Sequence, residues 1–139
     1  MRKNDPVSNV MTGSVVTLDV SDPISKARQL FESKGVHHLP VVSGDDLVGL
    51  ISWTDMLRIS FGEFGNQDVR SLDAVLDHTY QLKDVMQQAP TTISDSATVR
   101  DAAQILATQN FHSLPVVNGS KLIGIVTSTD LIRYLVEQY

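Results

Sequence analysis

The stretch Leu122-Ile123-Gly124-Ile125-Val126-Thr127-Ser128-Thr129-Asp130 decides the fold, because it predicts an apolar strand that passes through a small-residue turn into a helix. The same pattern occurs 75 positions earlier as Leu47-Val48-Gly49-Leu50-Ile51-Ser52-Trp53-Thr54-Asp55. The central glycine and the final Thr-Asp pair are identical in the two stretches, and serine replaces threonine at the start of the turn. The chain therefore contains an internal duplication.

Each copy predicts the element order β-α-β-β-α. A short β-prone run, residues 15–18 or 91–93, comes first. A helix follows, which we expect to begin at Ser21-Asp22-Pro23 or at Ser96 and to end at Gly35 or Asn110. Two wholly apolar strands come next in each copy, joined by a turn of small polar residues. The first of these strands opens with His37-His38-Leu39-Pro40 in the first copy and with His112-Ser113-Leu114-Pro115 in the second. The last helix begins near Asp55 or Asp130.

The copies align without a gap between residues 10–58 and 85–133. One repeat alone is too small for a stable core, so we expect an α/β fold in which two pseudo-symmetric repeats pack through their sheets. The first repeat would span residues 1–60, a connector with a short helix 61–81, and the second repeat 82–139. Phe61 and Phe64 in the connector favour either local packing or a contact with another subunit.

Charge and composition exclude several classes of protein. The 139 residues carry a formal charge of −5 and contain no cysteine. An acidic chain without a Lys/Arg cluster is unsuited to broad nucleic-acid binding, and the lack of cysteine excludes disulfides and thiolate metal sites. No long apolar run predicts a signal peptide or membrane span. We therefore expect a cytoplasmic protein without nucleic-acid or membrane partners.

The Leu-Pro-Val strand, the glycine-centred strand and the Thr-x-x-Asp or Ser-x-x-Asp turn, repeated in tandem, resemble a pair of cystathionine β-synthase (CBS) domains. The resemblance covers nearly the whole chain. It implies a Bateman module that binds AMP, ADP, ATP or S-adenosylmethionine in clefts between the repeats, as a regulatory ligand in energy sensing rather than as a required cofactor. It also implies a homodimer without enzymatic activity. Because the repeats and connector use up the chain, we expect the regulated target to be a separate, unidentified protein.

The resemblance implies that Thr127 and Asp130, and Ser52 and Asp55 in the first copy, bind ribose. A carboxylate can accept hydrogen bonds from both ribose hydroxyls. The same spacing is also typical of a capping box, which satisfies N–H groups at a helix start. The second copy is favoured, because in the first copy Trp53 replaces Ser128 and would either stack on adenine or partly fill the cleft.

Adenine would contact strand residues that are otherwise plain core positions, namely Thr92, Ile93 and Pro115, and their equivalents Thr17, Leu18 and Pro40. For phosphates the sequence offers Arg58 and Arg133, which alternatively form i,i+3 ion pairs with the aspartates. The resemblance adds the histidines before Leu-Pro, which are His37, His38 and His112. Adjacent strand residues point to opposite faces, which argues against a shared metal ion. Ser113 replaces His38, so the two sites are not equal.

Overall fold

The computed structural model describes residues 4–61 and 69–139, apart from the side chains of Phe61 and Val69. Phe64 and the side chain of Phe61 thus lie outside the described residues, and the prediction made for them stays a prediction. Within the described ranges, seven strands and six α-helices follow a 3₁₀ turn at Val7–Asn9: β1 Leu18–Asp19, α1 Ile24–Lys34, β2 His38–Ser43, β3 Asp46–Ser52, α2 Trp53–Phe61, α3 Val69–Thr79, α4 Leu82–Val85, β4 Gln87–Gln88, β5 Ile93–Ser94, α5 Val99–Thr108, β6 Ser113–Asn118, β7 Lys121–Thr127 and α6 Ser128–Glu137.

The α/β class and the repeated β-α-β-β-α order are confirmed, with β1-α1-β2-β3-α2 in the first copy and β5-α5-β6-β7-α6 in the second. None of the helices that the structure describes is long and apolar enough to cross a membrane.

The described chain divides into two compact units. The first-repeat unit contains residues 16–44, 48–61 and 69–90, and the second-repeat unit contains residues 4–15, 45–47 and 91–139. The N-terminal segment of each sequence repeat therefore belongs to the unit built by the other repeat.

In the first-repeat unit, β1 pairs in parallel with β2, and β4 pairs antiparallel with β3. The connector helix α3 packs on α1, where the guanidinium of Arg28 makes hydrogen bonds to both carboxylate oxygens of Asp73 and Ser25 Oγ donates to Asp77 Oδ2 over 2.6 Å. Leu76 of α3 is fully buried in the same core. Helix α3 of the connector is thus an integral part of this unit.

In the second-repeat unit, β5 pairs in parallel with β6, and β6 and β7 form an antiparallel hairpin. The N-terminal segment is hydrogen-bonded to two parts of this unit, near the start of α5 and along β7. Val7 donates its backbone N–H to the carbonyl of Ala97 (2.9 Å), and Thr12 exchanges two backbone hydrogen bonds with Ile125. The segment is therefore held by regular backbone bonding as well as by the buried side chain of Val7.

The glycine at the centre of β3 and of β7 allows a close approach by these N-terminal segments. A Cβ atom at Gly124 would lie 2.5 Å from Met11 Sδ and 3.0 Å from the carbonyl oxygen of Thr12. A Cβ atom at Gly49 would collide with the side chain of Met86 in the same way. A larger residue at Gly49 would require the Met86 side chain to move, and one at Gly124 would also press on the backbone of the segment at Thr12.

Helices α1 and α5 begin close to the predicted starts, but their predicted side-chain caps are wrong. The residue before α1 is Pro23, which makes no side-chain cap hydrogen bond, while the carboxylate of Asp22 accepts from the backbone N–H of Asp19 instead. Helix α5 is capped by Thr98 rather than by Ser96, because Asp101 stands at the third helical position and completes a capping box.

The two helix ends have different outcomes. Gly35 ends α1 with φ of 65°, as predicted, because glycine adopts left-handed backbone without a Cβ penalty. Helix α5 ends earlier than expected, at Thr108, and its last turn is followed by Gln109 with φ of −111°. The prediction of a left-handed stop at Asn110 is therefore wrong.

Candidate ligand-binding turns

The second turn, Thr127 to Asp130, joins β7 to α6. Thr127 Oγ1 accepts from the backbone N–H of Asp130 over 3.2 Å, and Asp130 Oδ2 accepts from the backbone N–H of Thr127 over 2.9 Å. Asp130 is only 9% exposed. This arrangement is a capping box, and it fixes the orientation of a nearly buried carboxylate.

The first turn, Ser52 to Asp55, has the same geometry. Ser52 Oγ accepts from the backbone N–H of Asp55 over 3.1 Å, and Asp55 Oδ2 accepts from the backbone N–H of Ser52 over 2.9 Å. The capping interpretation is thus correct for both turns. It does not exhaust either carboxylate, because two oxygens offer about four acceptor positions.

The second oxygen of each aspartate faces an arginine one helical turn later. Arg133 Nη1 lies 3.5 Å from Asp130 Oδ1, and Arg58 Nη2 lies 3.2 Å from Asp55 Oδ1. Both guanidinium groups are largely exposed, so most of their N–H donors face away from the protein. The ion pair is therefore compatible with a second interaction with an anion.

His37 and His112, each two positions before a Leu-Pro pair, are brought close to the turns by backbone hydrogen bonds. The carbonyl oxygen of His112 accepts from the backbone N–H of Ser128 over 2.9 Å, and that of His37 accepts from the backbone N–H of Trp53 over 2.9 Å. Both imidazoles are exposed, whereas His38 is half-buried and has a partner within the chain. The structure thus places His112 beside the second turn and His37 beside the first.

The residues predicted to contact adenine divide into two groups. Ile93 (6% exposed) and Leu18 (fully buried) belong to the hydrophobic cores of their units, so their side chains have a core role. Pro115 and Pro40 are also buried, and Thr92 and Thr17 are half-buried. Ile93 pairs with Val116 in parallel register, so Thr92, just before β5, and Pro115 on β6 are the residues that precede this pair.

The two turns differ at the first residue of their helices. The indole of Trp53 packs against the ring of Phe31, with centroids 5.6 Å apart and planes inclined by 59°. The equivalent Ser128 is half-buried and its hydroxyl lies 3.4 Å from the carbonyl oxygen of His112. The first turn thus carries a bulky side chain bound into its core, where the second carries a small hydroxyl.

A third capping box occurs at the start of α5 and was not predicted. Thr98 N–H donates to Asp101 Oδ2 over 3.0 Å, and Asp101 N–H donates to Thr98 Oγ1 over 3.1 Å. The hydrogen bond that the Asp101 carboxylate accepts from the Thr98 N–H, followed by its interaction with the Thr98 side chain, holds the pKa of Asp101 below its usual value of 3.8. This exposed box has the residue spacing of the two turns without the histidine or the Leu-Pro strand beside it.

Two further polar features were also missed. The hydroxyl of Tyr134 donates to the carboxylate of Asp5, which ties α6 to the N-terminal segment. The hydroxyl of Ser113 is buried and has no hydrogen-bond partner in the part of the chain that the structure describes. The Tyr134–Asp5 bond joins residues 129 positions apart, so no local sequence pattern reports it. For Ser113 the sequence indicated only that it replaces a histidine, because a missing hydrogen bond leaves no pattern in the sequence.

Comparison with known proteins agrees with this architecture. The CBS domain model matches residues 7–62 and 82–137. The CBS domain-containing protein DDB_G0289609 of Dictyostelium discoideum is 30% identical over 94% of this chain and 91% of its own length. The uncharacterised protein MJ1404 of Methanocaldococcus jannaschii is 29% identical over 97% of this chain, which spans only 33% of that longer protein.

Among solved structures, CBSX2 in complex with AMP superimposes with a TM-score of 0.79 and 29% identity, over 96% of this chain and 97% of that chain. CBSX2 is a CBS-pair protein of Arabidopsis thaliana. The family model matches both repeats, and the structural match covers 96% of the chain. The chain belongs to the CBS domain family and contains two CBS repeats.

Proposed function

We propose that this CBS pair is a non-enzymatic regulatory module that binds an adenosine-containing ligand and signals its presence to a separate protein. The observation that carries the proposal is the similarity to CBSX2, which has been crystallised with AMP and resembles this chain over nearly its whole length. The second turn is our preferred site, because both turns orient their aspartate but only the second has the small Ser128 where the first has Trp53, which packs against Phe31.

Each group of the second turn has a task that its chemistry suits. Asp130 accepts the ribose hydroxyls through the oxygen that faces Arg133 and through the remaining lone pairs of the other oxygen. Arg133 and His112 meet the phosphate, while Thr92 and Pro115 border the adenine. Because the whole chain is acidic, with a formal charge of −5, these local cations must hold an anionic ligand against the overall field.

We further propose that a second copy of the chain packs on α6. Three apolar side chains on one face of this helix are exposed, with relative exposures of 62% for Ile132, 41% for Leu135 and 67% for Val136. At the equivalent positions of α2, Leu57 is half-buried and Ser60 is buried. An isologous contact would bury this patch against itself about a two-fold axis. Light scattering after gel filtration should show a dimer that Ile132→Glu converts to a monomer.

Calorimetry tests ligand binding directly. AMP, ADP, ATP and S-adenosylmethionine should be titrated into the purified chain, with GMP as the control. We expect saturable binding of at least one adenosine compound and no comparable binding of GMP. A chain that binds none of the four at millimolar concentration would refute the proposal.

The alternative function is a dimerising interaction scaffold whose turns are only helix caps. The closed capping boxes at both turns and the apolar face of α6 favour it. It predicts a stable dimer whose melting temperature does not change with any adenosine compound. The same titrations therefore separate the two functions.

A further inference from the structure

The N-terminal segment, residues 4–15, is attached to the second-repeat unit near both of its ends. At one end, the carbonyl oxygen of Asp5 accepts from the N–H of Val99, the first residue of α5, over 2.7 Å. At the other, Thr12 exchanges backbone hydrogen bonds of 2.8 and 3.0 Å with Ile125 of β7. A segment held by a few such bonds can open locally while the β6–β7 hairpin stays formed.

One side-chain bond joins this segment to the helix that carries the proposed ribose aspartate. The hydroxyl of Tyr134, on α6, donates to the carboxylate of Asp5. Asp130 and Tyr134 are four positions apart on α6, so their side chains lie on the same face of the helix. Each is only 9% exposed. The second turn and the N-terminal segment are thus attached to the same face of one helix.

The first copy has different residues at the equivalent positions. Ile59 stands where α6 has Tyr134, and Tyr80 stands where the N-terminal segment has Asp5. An isoleucine side chain has no hydrogen-bonding group, and both residues pack against the core of the first-repeat unit. Of the two copies, the one with our preferred ligand turn is therefore the one that has this polar bond.

We infer that the bond between Tyr134 and Asp5 is a latch that couples ligand binding at the second turn to closure of the N-terminal segment. This inference rests on the proposed function. Opening of the segment breaks the latch and removes a support from the face of α6 that carries Asp130. A ligand that needs this face in its closed position binds the closed state more tightly, and so lowers the population of the open state. The segment is then the part of the chain that signals whether the second turn is occupied.

Hydrogen–deuterium exchange of the full-length chain measures the opening at the N–H groups of Val7 and Thr12. In the closed state these groups are bonded to the carbonyl oxygens of Ala97 and Ile125. The probe is AMP, or whichever of ADP, ATP and S-adenosylmethionine binds most tightly in calorimetry, at about a hundred times its Kd. We expect it to slow exchange at both groups by about tenfold to a hundredfold, with the upper value if the open state does not bind at all.

Tyr134→Phe removes the latch and keeps the ring in the core. Without ligand, its segment should exchange about tenfold faster, as the loss of a hydrogen bond to a charged group predicts. It should still bind the ligand, but the ligand should no longer slow exchange at Val7 and Thr12. Asp5→Ala removes the other half of the latch and should behave in the same way. Tyr80→Phe is the matched control, because it removes a hydroxyl at the position equivalent to Asp5 and should leave these rates and their ligand response unchanged.

The outcomes separate the latch from the proposed function. Ligand binding that does not slow exchange of the wild-type segment overturns the latch and leaves the proposed function standing. Equal slowing in the wild type and in Tyr134→Phe overturns it too, because the coupling would not pass through this bond. If Tyr134→Phe also exchanges faster throughout the β6–β7 hairpin, Asp5→Ala decides, and the same result there shows a general structural bond and overturns the latch. A wild-type chain that binds none of the four compounds overturns both.

Discussion

Replacing Asp130 with alanine should have two separable effects, because the carboxylate caps α6 and is proposed to bind the ligand. Loss of the capping box, with its bonds of 2.9 and 3.2 Å, should lower the free energy of unfolding by about 0.5–2 kcal/mol. The ion pair to the exposed Arg133 adds little, about 0–1 kcal/mol. Hydrogen bonds from ribose to a charged acceptor are worth about 1.5–3 kcal/mol, so affinity should fall roughly ten- to a hundredfold.

Asp101→Ala is the matched control, since Asp101 occupies the same place in the capping box of α5. It should lower stability in a similar way, without affecting ligand binding. Urea unfolding followed by circular dichroism gives the stability of each variant, and calorimetry with the ligand identified for the wild type gives the affinity. If Asp130→Ala is folded and binds as tightly as Asp101→Ala, the carboxylate is a helix cap only and the assignment of the ribose site is refuted.

Three further predictions concern pH, packing and the connector. The pKa of Asp101 is lowered in the folded state, so its carboxylate contributes to stability above about pH 4, and this contribution is lost as the pH falls through the folded pKa. In urea titrations, Asp101→Asn should therefore lose less stability than the wild type between pH 6 and pH 3. Gly124→Ala should lower the free energy of unfolding by about 1–3 kcal/mol, because the Met11 side chain can move away from the new methyl group but the carbonyl of Thr12 cannot. A melting temperature equal to that of the wild type would contradict this packing argument. Asp73→Ala leaves the mostly buried Arg28 without its bidentate partner and should cost about 1–3 kcal/mol in urea unfolding, whereas an unchanged midpoint would show that α3 is held by its apolar face alone.

The sequence predicted the architecture well because the repeat is ungapped and each element has a local signal. The sequence identified the central glycine of β3 and β7 as part of the motif, but not the reason for a glycine there. In the second copy, the methionine that Gly124 accommodates is Met11, more than a hundred positions away. The assignment of residues 4–15 to the second-repeat unit depends on tertiary bonding, such as that between Val7 and Ala97, which periodicity does not report. Local patterns specify elements, and they specify partners only where the partner is close in the chain.

The helix caps show the same limit at shorter range. Ser96 and Thr98 are both suitable N-cap residues, and the choice falls on Thr98 because Asp101 lies three positions later and returns a hydrogen bond to its backbone. The spacing that places a cap correctly also imitates a ribose site. Thr98 and Asp101 match Thr127 and Asp130 in residue type and in hydrogen bonding, yet only the latter pair lies beside a Leu-Pro strand. The turn motif alone therefore predicts a helix start, and its surroundings are needed to predict a ligand.

Capping and ligand binding are compatible roles for the same aspartate. The N–H of Thr127 holds one carboxylate oxygen, which fixes the direction of the other and spares the ligand the entropic cost of ordering that side chain. The same bond in the first turn orients Asp55 equally well, so the aspartates by themselves do not distinguish the two sites. The difference lies in the flanking residues, where Trp53 is bound to Phe31 in one copy and Ser128 leaves room in the other. Because both aspartates are oriented in the same way but only the second turn has a small side chain beside its aspartate, we expect the second turn to bind the ligand more tightly.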